Sequence, residues 1–230
     1  MRDDRDYQNR RNCDDYWDSY FRNDYGNTMS RSSYNLLIGG ILLWGFIINA
    51  LMIKYATPYI LSINPIALII GYFIIAFLGM FIGARSTSAI VSFIGYNMVV
   101  VPVGAILSVT LAGVSSVSIM NAVLVTGGVV FIMTLLGSIF PNFFLSMGRA
   151  LFVALTAVII IELLTMLFGW HLPSFWDWLI AILFSGYIAY DWADAQYSTC
   201  TADDAVDACV RLYLDIVNLF LSILDISLDD

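Results

Sequence analysis

Charged residues are scarce in this sequence. Asp, Glu, Lys and Arg make up 12% of the 230 residues, whereas 60% are hydrophobic. Soluble globular domains average about 25% charged and about 45–50% apolar residues, so the composition excludes an ordinary soluble domain and indicates an integral membrane protein. The formal net charge of −8 indicates little about partners. Most of the acidic residues lie near the two ends of the chain, and those near the N-terminus are offset by arginines.

Cysteine and histidine are also few. The chain has three cysteines (Cys13, Cys200 and Cys209) and one histidine, His171. Their spacing gives neither a disulfide framework nor a zinc cluster, and we expect free thiols in a reducing compartment. No phosphate-binding glycine loop and no Ser/His/Asp set occurs in the sequence. We therefore expect no bound cofactor and no nucleic-acid partner.

Long apolar runs occupy most of the chain. A helix needs about 20 residues to cross about 30 Å of hydrocarbon. Seven runs approach that length, at residues 34–53, 65–84, 88–111, 117–140, 145–168, 175–195 and 206–226. The sequence therefore predicts an all-α fold, with a seven-transmembrane-helix bundle at residues 34–226. Residues 1–33 alternate Arg and Asp without apolar periodicity and are predicted to form a disordered cytoplasmic tail, and 227–230 a short C-terminal tail.

The distribution of basic residues predicts the orientation. With the N-terminus inside, the cytoplasmic segments hold the tail arginines with Arg85, Arg149 and Arg211, and the outside loops hold only Lys54. The positive-inside rule therefore predicts a cytoplasmic N-terminus and, with seven spans, an external C-terminus. The short loops favour a bacterial inner membrane, with the endoplasmic reticulum as the alternative. We expect a monomer surrounded by lipid.

The last two predicted spans carry acidic residues where hydrocarbon tolerates charge poorly. Asp191 lies in SGYIAYDWADAQ (185–196), on the same helical face as Tyr187 and Asp194. The seventh span has five polar residues spaced by 4, 3, 4 and 3, which keeps them within an arc of about 80°. They are Arg211, Asp215, Asn218, Ser222 and Asp225. Adjacent antiparallel helices would bring Asp191 and Asp215 together at similar depth.

Structural roles for these acids remain open at this point. Asp191 could cap its helix or reach the interface, and Asp215 could pair with Arg211 one turn earlier. An ionisable residue inside a span nevertheless indicates function by default. Glu162 in IIIELLTM could form a hydrogen bond within the bundle or line a pore.

Several glycines are predicted to mark close helix packing. They are the pairs Gly39 and Gly40, Gly127 and Gly128, and Gly79 with Gly83.

The segments LFSGYIAYD (183–191) and LYLDIVNLFLSIL (212–224), together with seven spans and short loops, resemble the Bax inhibitor family, also called transmembrane Bax inhibitor motif proteins. The resemblance implies a pH-dependent calcium leak with an aspartate pair as proton sensor, which corresponds to Asp191 and Asp215. It also implies an arginine near the cytoplasmic end of the second span that pairs with the sensor as a latch, and Arg85 is the candidate.

The chemistry of two facing carboxylates agrees with that implication. Two such groups in a partly dry site share protons and titrate as one unit. Their oxygens suit calcium, but two carboxylates fall short of its usual six to eight ligands, so Asp191 and Asp215 are expected to bind calcium weakly and transiently.

Two other functions remain as alternatives. One is an interaction protein that regulates a membrane protease or a cell-death partner. The other is an intramembrane aspartyl protease, which also uses two aspartates on adjacent spans. Its second aspartate belongs to a GxGD motif, whereas Asp215 follows LYL. We therefore do not expect an enzyme.

Overall fold

A computed structural model describes residues 28–170, 172–173 and 175–229. Over those residues the chain forms α-helices joined by short connections. They are α1 (Arg31–Tyr55), α2 (Thr57–Ile60), α3 (Pro65–Arg85), α4 (Ala89–Thr110), α5 (Ser116–Ile139), α6 (Pro141–Ser146), α7 (Gly148–Phe168), α8 (Phe175–Ala195) and α9 (Ala202–Asp229). Seven of these helices are long, which confirms the predicted all-helical membrane fold. Residues 1–27 of the predicted tail and His171 lie outside the described residues.

The helix bounds differ from the predicted spans by a few residues. The first helix begins at Arg31 rather than 34, and the last runs to Asp229 rather than 226. The short helices α2 and α6 begin in gaps between the predicted spans, and each has a proline in its first turn. Proline fits the first turn of a helix because its missing N–H has no helical partner there.

Side chains and a glycine define the ends of the long helices. The Oγ of Ser30 accepts a hydrogen bond from the Ser33 backbone N–H at 3.2 Å at the start of α1. The Oδ1 of Asn64 accepts the N–H of Ile66 at 2.9 Å at the start of α3. Such caps satisfy donors that a helix N-terminus leaves without partners. Helix α7 ends at Phe168 and is capped by Gly169, whose φ of +67° is the left-handed conformation that favours glycine.

Five helices among the described residues are long and apolar enough to cross a membrane. They are α1, α3, α4, α5 and α7. In α7 only 6% of the most apolar window is buried within the protein, against 50% in α4. Large exposed side chains such as Phe152 and Leu167 cover α7. A continuous apolar surface of this kind requires lipid rather than water around it.

The last helix has the opposite character. Along α9 only Arg211, Asp225 and Leu228 have exposed side chains among the residues whose burial is described. This helix carries charges, yet it is buried along most of its length. A polar helix of a membrane protein is expected to turn its charges into protein, and α9 does so at Asp215, which is 6% exposed.

The chain divides into two compact units. The first contains the described residues up to Ala112 together with Tyr197–Val210. In it α4 packs against α1 and α3. A Cβ atom added at Gly79 would lie 2.5 Å from the carbonyl oxygen of Gly95, so α3 and α4 approach backbone to backbone. The prediction of close packing at Gly79 is confirmed.

The same prediction is wrong for four other glycines. A Cβ atom at Gly39, Gly40, Gly127 or Gly128 would meet no heavy atom within 4 Å. Adjacent glycines in an apolar helix therefore do not by themselves identify a packing face in this protein.

The connection between α8 and α9 is anchored within the first unit. The Oγ of Ser198 donates to the hydroxyl of Tyr34 at 2.8 Å, and the N–H of Met29 donates to the carbonyl of Cys200 at 3.0 Å. Cys200 is disulfide-bonded, whereas Cys209 is a buried free thiol. The expectation of free thiols is therefore wrong for Cys200 and confirmed for Cys209.

The second unit contains Gly113–Gln196 and the residues from Arg211 onward. Helix α8 lies at its centre and packs against α5, α6 and α7. Phe144 of α6 forms a small apolar core with Ala189 and Ala193 of α8. This unit holds the polar faces that the sequence predicted for the sixth and seventh spans.

Candidate functional site

Close packing fixes one face of α8. A Cβ atom added at Gly137 of α5 would lie 2.6 Å from the carbonyl oxygen of Ala189, so the two helices are in backbone contact. The indole Nε1 of Trp192 donates to the Oγ of Ser138 at 2.7 Å on the same side. Asp191 is two residues from Ala189, about 200° around the helix. The contact with α5 therefore directs Asp191 to the opposite face.

A second contact fixes the neighbouring tyrosine. A Cβ atom at Gly148, the first residue of α7, would lie 2.8 Å from the ring of Tyr190. The rings of Tyr187 and Tyr190 meet edge to face with centroids 6.5 Å apart. Glycine at position 148 thus leaves room for an aromatic side chain directly beside Asp191 in sequence.

Asp191 and Asp215 form a buried carboxyl pair. Their residues are 5% and 6% exposed, and the two carboxyl groups lie close enough to interact directly. The Oδ2 atom of Asp215 is buried with no hydrogen-bond partner among the described atoms. Buried polar atoms are nearly always satisfied, so this oxygen requires an explanation. The structure thus brings together the two aspartates that the sequence paired.

Arg211 is the cation at the pair. Its Nε donates to Oδ1 of Asp191 at 3.0 Å, and its Nη2 donates to Oδ2 of Asp194 at 2.9 Å. The guanidinium therefore bridges two residues of α8 from α9. The alternative in which Arg211 pairs with Asp215 along its own helix is not what the structure shows. The alternative of a capping or snorkelling Asp191 is also wrong, because its side chain is 7% exposed and bound to Arg211.

The remainder of the predicted polar stripe has other contacts. The Nδ2 of Asn218 donates to the carbonyl of Leu214 at 2.8 Å, and the Oγ of Ser222 donates to the carbonyl of Asn218 at 3.0 Å. Both side chains therefore satisfy themselves on the backbone of α9. Asp225 is exposed near the end of the helix. Only Arg211 and Asp215 of the stripe join the carboxyl pair.

Arg85 is the last residue of α3, in the first unit. Its guanidinium lies over the ring of Phe81, 4.3 Å from the centroid, and its side chain is exposed. This is a cation–π contact within one helix. The role of Arg85 as a latch stays a prediction.

Glu162 lies at another place on the second unit. Its side chain on α7 is exposed, and its polar neighbours are Trp176 and Asp177 in the first turn of α8. Asp177 precedes Asp191 by 14 residues, which is about 21 Å along a helix. Glu162 is therefore not part of the carboxyl pair.

The described residues contain no group of three or more His, Cys, Asp or Glu side chains arranged to hold a metal ion. Asp191 and Asp215 together supply at most four oxygens, fewer than the six to eight that calcium usually takes. Any calcium at this pair would need further ligands.

Asp194 is the member of the site that sequence reasoning left without a role. Its position on the same face as Asp191 was the available signal, since residues three apart on a helix are neighbours. Its side chain is 48% exposed and accepts a hydrogen bond from Nη2 of Arg211. The acidic group thus extends from a buried pair to an exposed edge.

The chain matches a protein family over most of its length and individual relatives over about a third of it or less. The family described as "Inhibitor of apoptosis-promoting Bax1" matches residues 26–229. An uncharacterised protein of Helicobacter pylori is 42% identical over 84 residues, which cover 35% of each chain. Protein LIFEGUARD 3 of Arabidopsis thaliana is 42% identical over 82 residues, 35% of this chain and 33% of that protein. Bax inhibitor 1 of Saccharomyces cerevisiae is 44% identical over 69 residues, 28% of this chain and 23% of the yeast protein.

The matched segments therefore span about a third or less of these relatives, and the relatives' activities do not transfer with them. The family match, in contrast, covers α1 to α9 and includes both aspartates of the pair. The chain therefore belongs to the Bax inhibitor family of membrane proteins.

Proposed function

We propose that this protein is a pH-dependent calcium leak channel in which Asp191 and Asp215 form the gate. The observation that carries the proposal is the buried contact between two carboxyl groups on consecutive helices of a membrane protein. Acids inside membrane helices are costly and mark ion or proton pathways. A contact of this kind is difficult to explain by packing alone.

The buried Asp215 oxygen that lacks a hydrogen-bond partner supports reversible binding of a proton or a cation at the carboxyl pair. Oδ2 of Asp215 is buried without a hydrogen-bond partner, whereas Asp191 is bound to Arg211. A buried acceptor without a donor is destabilising. A proton or a cation that arrives at the pair would remove that cost, so the pair is suited to bind either.

The pair would titrate as one unit because the two carboxyl groups interact directly. Helices α5 and α6 carry no ionisable side chain, and α7 carries Arg149 and Glu162. The ionisable groups that act on the pair come from α8 and α9, namely Asp194, Arg211, Tyr187 and Tyr190. The pH dependence of the leak would therefore be a property of this cluster.

Calcium fits the pair as a transported ion. Carboxylate oxygens are hard ligands that calcium prefers, and water would supply the ligands that two aspartates cannot. Incomplete coordination favours weak binding, and an ion must bind weakly to leave a pathway again. We place the protein in a bacterial inner membrane with its N-terminus in the cytoplasm. The arginine distribution and the relatives in Helicobacter pylori and Campylobacter jejuni support this placement.

The test is calcium flux into proteoliposomes that contain only this protein, measured over a range of pH. The native chain should show a flux that changes with pH. Asp191→Asn and Asp215→Asn should each flatten that dependence, because Asn keeps the shape of Asp and removes its charge. Glu162→Gln is the matched control, since it removes one acid from the same unit away from the pair. Absence of flux from the native chain, or a native pH profile in both Asn variants, would contradict the proposal.

A further inference from the structure

Arg211 contacts two aspartates in different environments. Its side chain is 43% exposed and reaches inward to Asp191, which is 7% exposed, and sideways to Asp194, which is 48% exposed. One acceptor is thus buried in the carboxyl pair and the other lies at the edge of the site. The guanidinium connects the pair to its exposed surroundings.

The guanidinium of Arg211 binds two of the three carboxyl groups at this site. Nε of Arg211 binds Oδ1 of Asp191, while the Oδ2 of Asp215 remains without a hydrogen-bond partner. A second cation that approached Asp191 and Asp215 would meet an oxygen already bound to Arg211. Because like charges repel strongly in a partly dry site, the guanidinium and a divalent cation could not share the pair cheaply.

We propose that Arg211 is a tethered competitor for the cation that binds Asp191 and Asp215, and that Asp194 is the acceptor that retains the guanidinium when it releases Asp191. The inference rests on the proposed function for the identity of the cation. It adds a residue that sets the concentration at which the cation binds. Half-exposed ion pairs are weak, so the contact with Asp194 can rearrange at little cost.

Two substitutions should shift cation binding in opposite directions. Arg211→Gln removes the competitor, and the half-saturating cation concentration should fall at least about fivefold, the lower end of the usual range for coupled sites. Asp194→Asn removes the alternative acceptor and leaves the guanidinium to Asp191. The half-saturating concentration should then rise.

A double variant separates competition from simple charge. Asp194→Asn also removes one negative charge near the pair, which by itself would weaken cation binding. If Asp194 acts through Arg211, its effect should largely disappear in the Arg211→Gln background. If it acts only through its charge, the effect should be the same in both backgrounds, and the proposed role of Asp194 would be overturned.

The experiment measures the emission of Tb³⁺, a luminescent substitute for Ca²⁺, bound to the full chain in detergent at fixed pH. Ca²⁺ is then added to displace the bound Tb³⁺. Tyr187 and Tyr190 lie beside the pair and can sensitise Tb³⁺ emission. The emission that is lost in the Asp191→Asn, Asp215→Asn double variant defines binding at the pair. Arg211→Lys keeps a positive side chain at this position, so its half-saturating cation concentration should stay near that of the native chain. Lys54→Gln is the matched control, since it removes an exposed positive charge from α1.

Binding and flux have distinguishable outcomes. The half-saturating cation concentration could shift with the expected sign in the variants although the native chain carries no calcium flux. That result would support Arg211 as a competitor for the cation and contradict the proposed channel function. Calcium flux together with an Arg211→Gln variant that matches Lys54→Gln would overturn the competitor and leave the channel standing. Emission that does not depend on Asp191 and Asp215 would also overturn the competitor, because the pair would then bind no cation.

Discussion

Asp191 and Arg211 lie 20 residues apart on consecutive helices and form an ion pair, with Nε and Oδ1 separated by 3.0 Å. This ion pair joins the end of α8 to the first half of α9. It places the guanidinium of Arg211 next to the buried carboxyl pair of Asp191 and Asp215. The side chain of Asp191 is 7% exposed, so removal of Arg211 would leave a buried charge uncompensated, which is destabilising. The charge state of this cluster is therefore coupled to the contact between the two helices.

The two aspartates should act as one unit. Each single substitution, Asp191→Asn or Asp215→Asn, should flatten the pH profile of calcium flux, and the double variant should add little to either. A protease would instead lose peptide cleavage in the same variants and would show no calcium flux to modify. Parallel flux and cleavage assays on the native chain and the three variants would decide. Additive effects of the two substitutions on the pH profile would contradict a shared proton.

Much of the fold could be predicted because membrane helices are specified by length and hydropathy. The five most apolar helices follow from the requirement for about 20 apolar residues. Helices α2 and α6 could not be predicted in this way, because they are four and six residues long and lie in segments whose prolines indicate only that a long helix ends. Adjacent glycines were misleading, since lipid-facing glycines look the same in sequence as packed ones.

The carboxyl pair could be predicted from spacing, whereas its cation could not. Spacings of three and four residues place Asp191 and Asp215 on defined faces of α8 and α9. They leave open whether Arg211 turns along its own helix or across to the next. Side chains on a helix lean toward its N-terminus. Arg211 precedes Asp215 and therefore leans away from it, toward the end of α8 where Asp191 and Asp194 lie.

Arg85→Ala should raise the basal calcium leak. The resemblance to the family implies a latch at this position, and an arginine withdrawn from an acid site would leave that site open to cations. The measurement is flux in proteoliposomes at one fixed pH, with Arg149→Ala as the control for loss of an exposed arginine. An unchanged leak in folded Arg85→Ala protein would contradict the latch. The remaining roles of Arg85 would be its cation–π contact with Phe81 and its contribution as a positive charge to membrane orientation.

Gly137→Ala should destabilise the second unit. The added Cβ atom would lie 2.6 Å from the backbone carbonyl oxygen of Ala189, which cannot move without shifting α8. Overpacking of this kind costs about 1–3 kcal/mol, and the thermal unfolding temperature in detergent should fall. Gly127→Ala is the matched control on α5, since its Cβ would meet nothing within 4 Å. Equal unfolding temperatures for the two variants would contradict the close contact between α5 and α8.

The two ends of α9 should lie on opposite sides of the membrane. The helix has 28 residues and would be about 42 Å long, more than the hydrocarbon core of about 30 Å. Tyr197 before it and Leu228 near its end are exposed, at 39% and 51%. Each can therefore be replaced by cysteine and tested with a membrane-impermeant maleimide, with the unmodified chain as the blank. In intact cells Leu228→Cys should be labelled, whereas Tyr197→Cys should be labelled only after permeabilisation, as the arginine distribution predicts.

Labelling of both from the same side would mean that α9 does not cross the membrane. Asp191 and Asp215 would then lie outside any transmembrane pathway, and the leak would need another route.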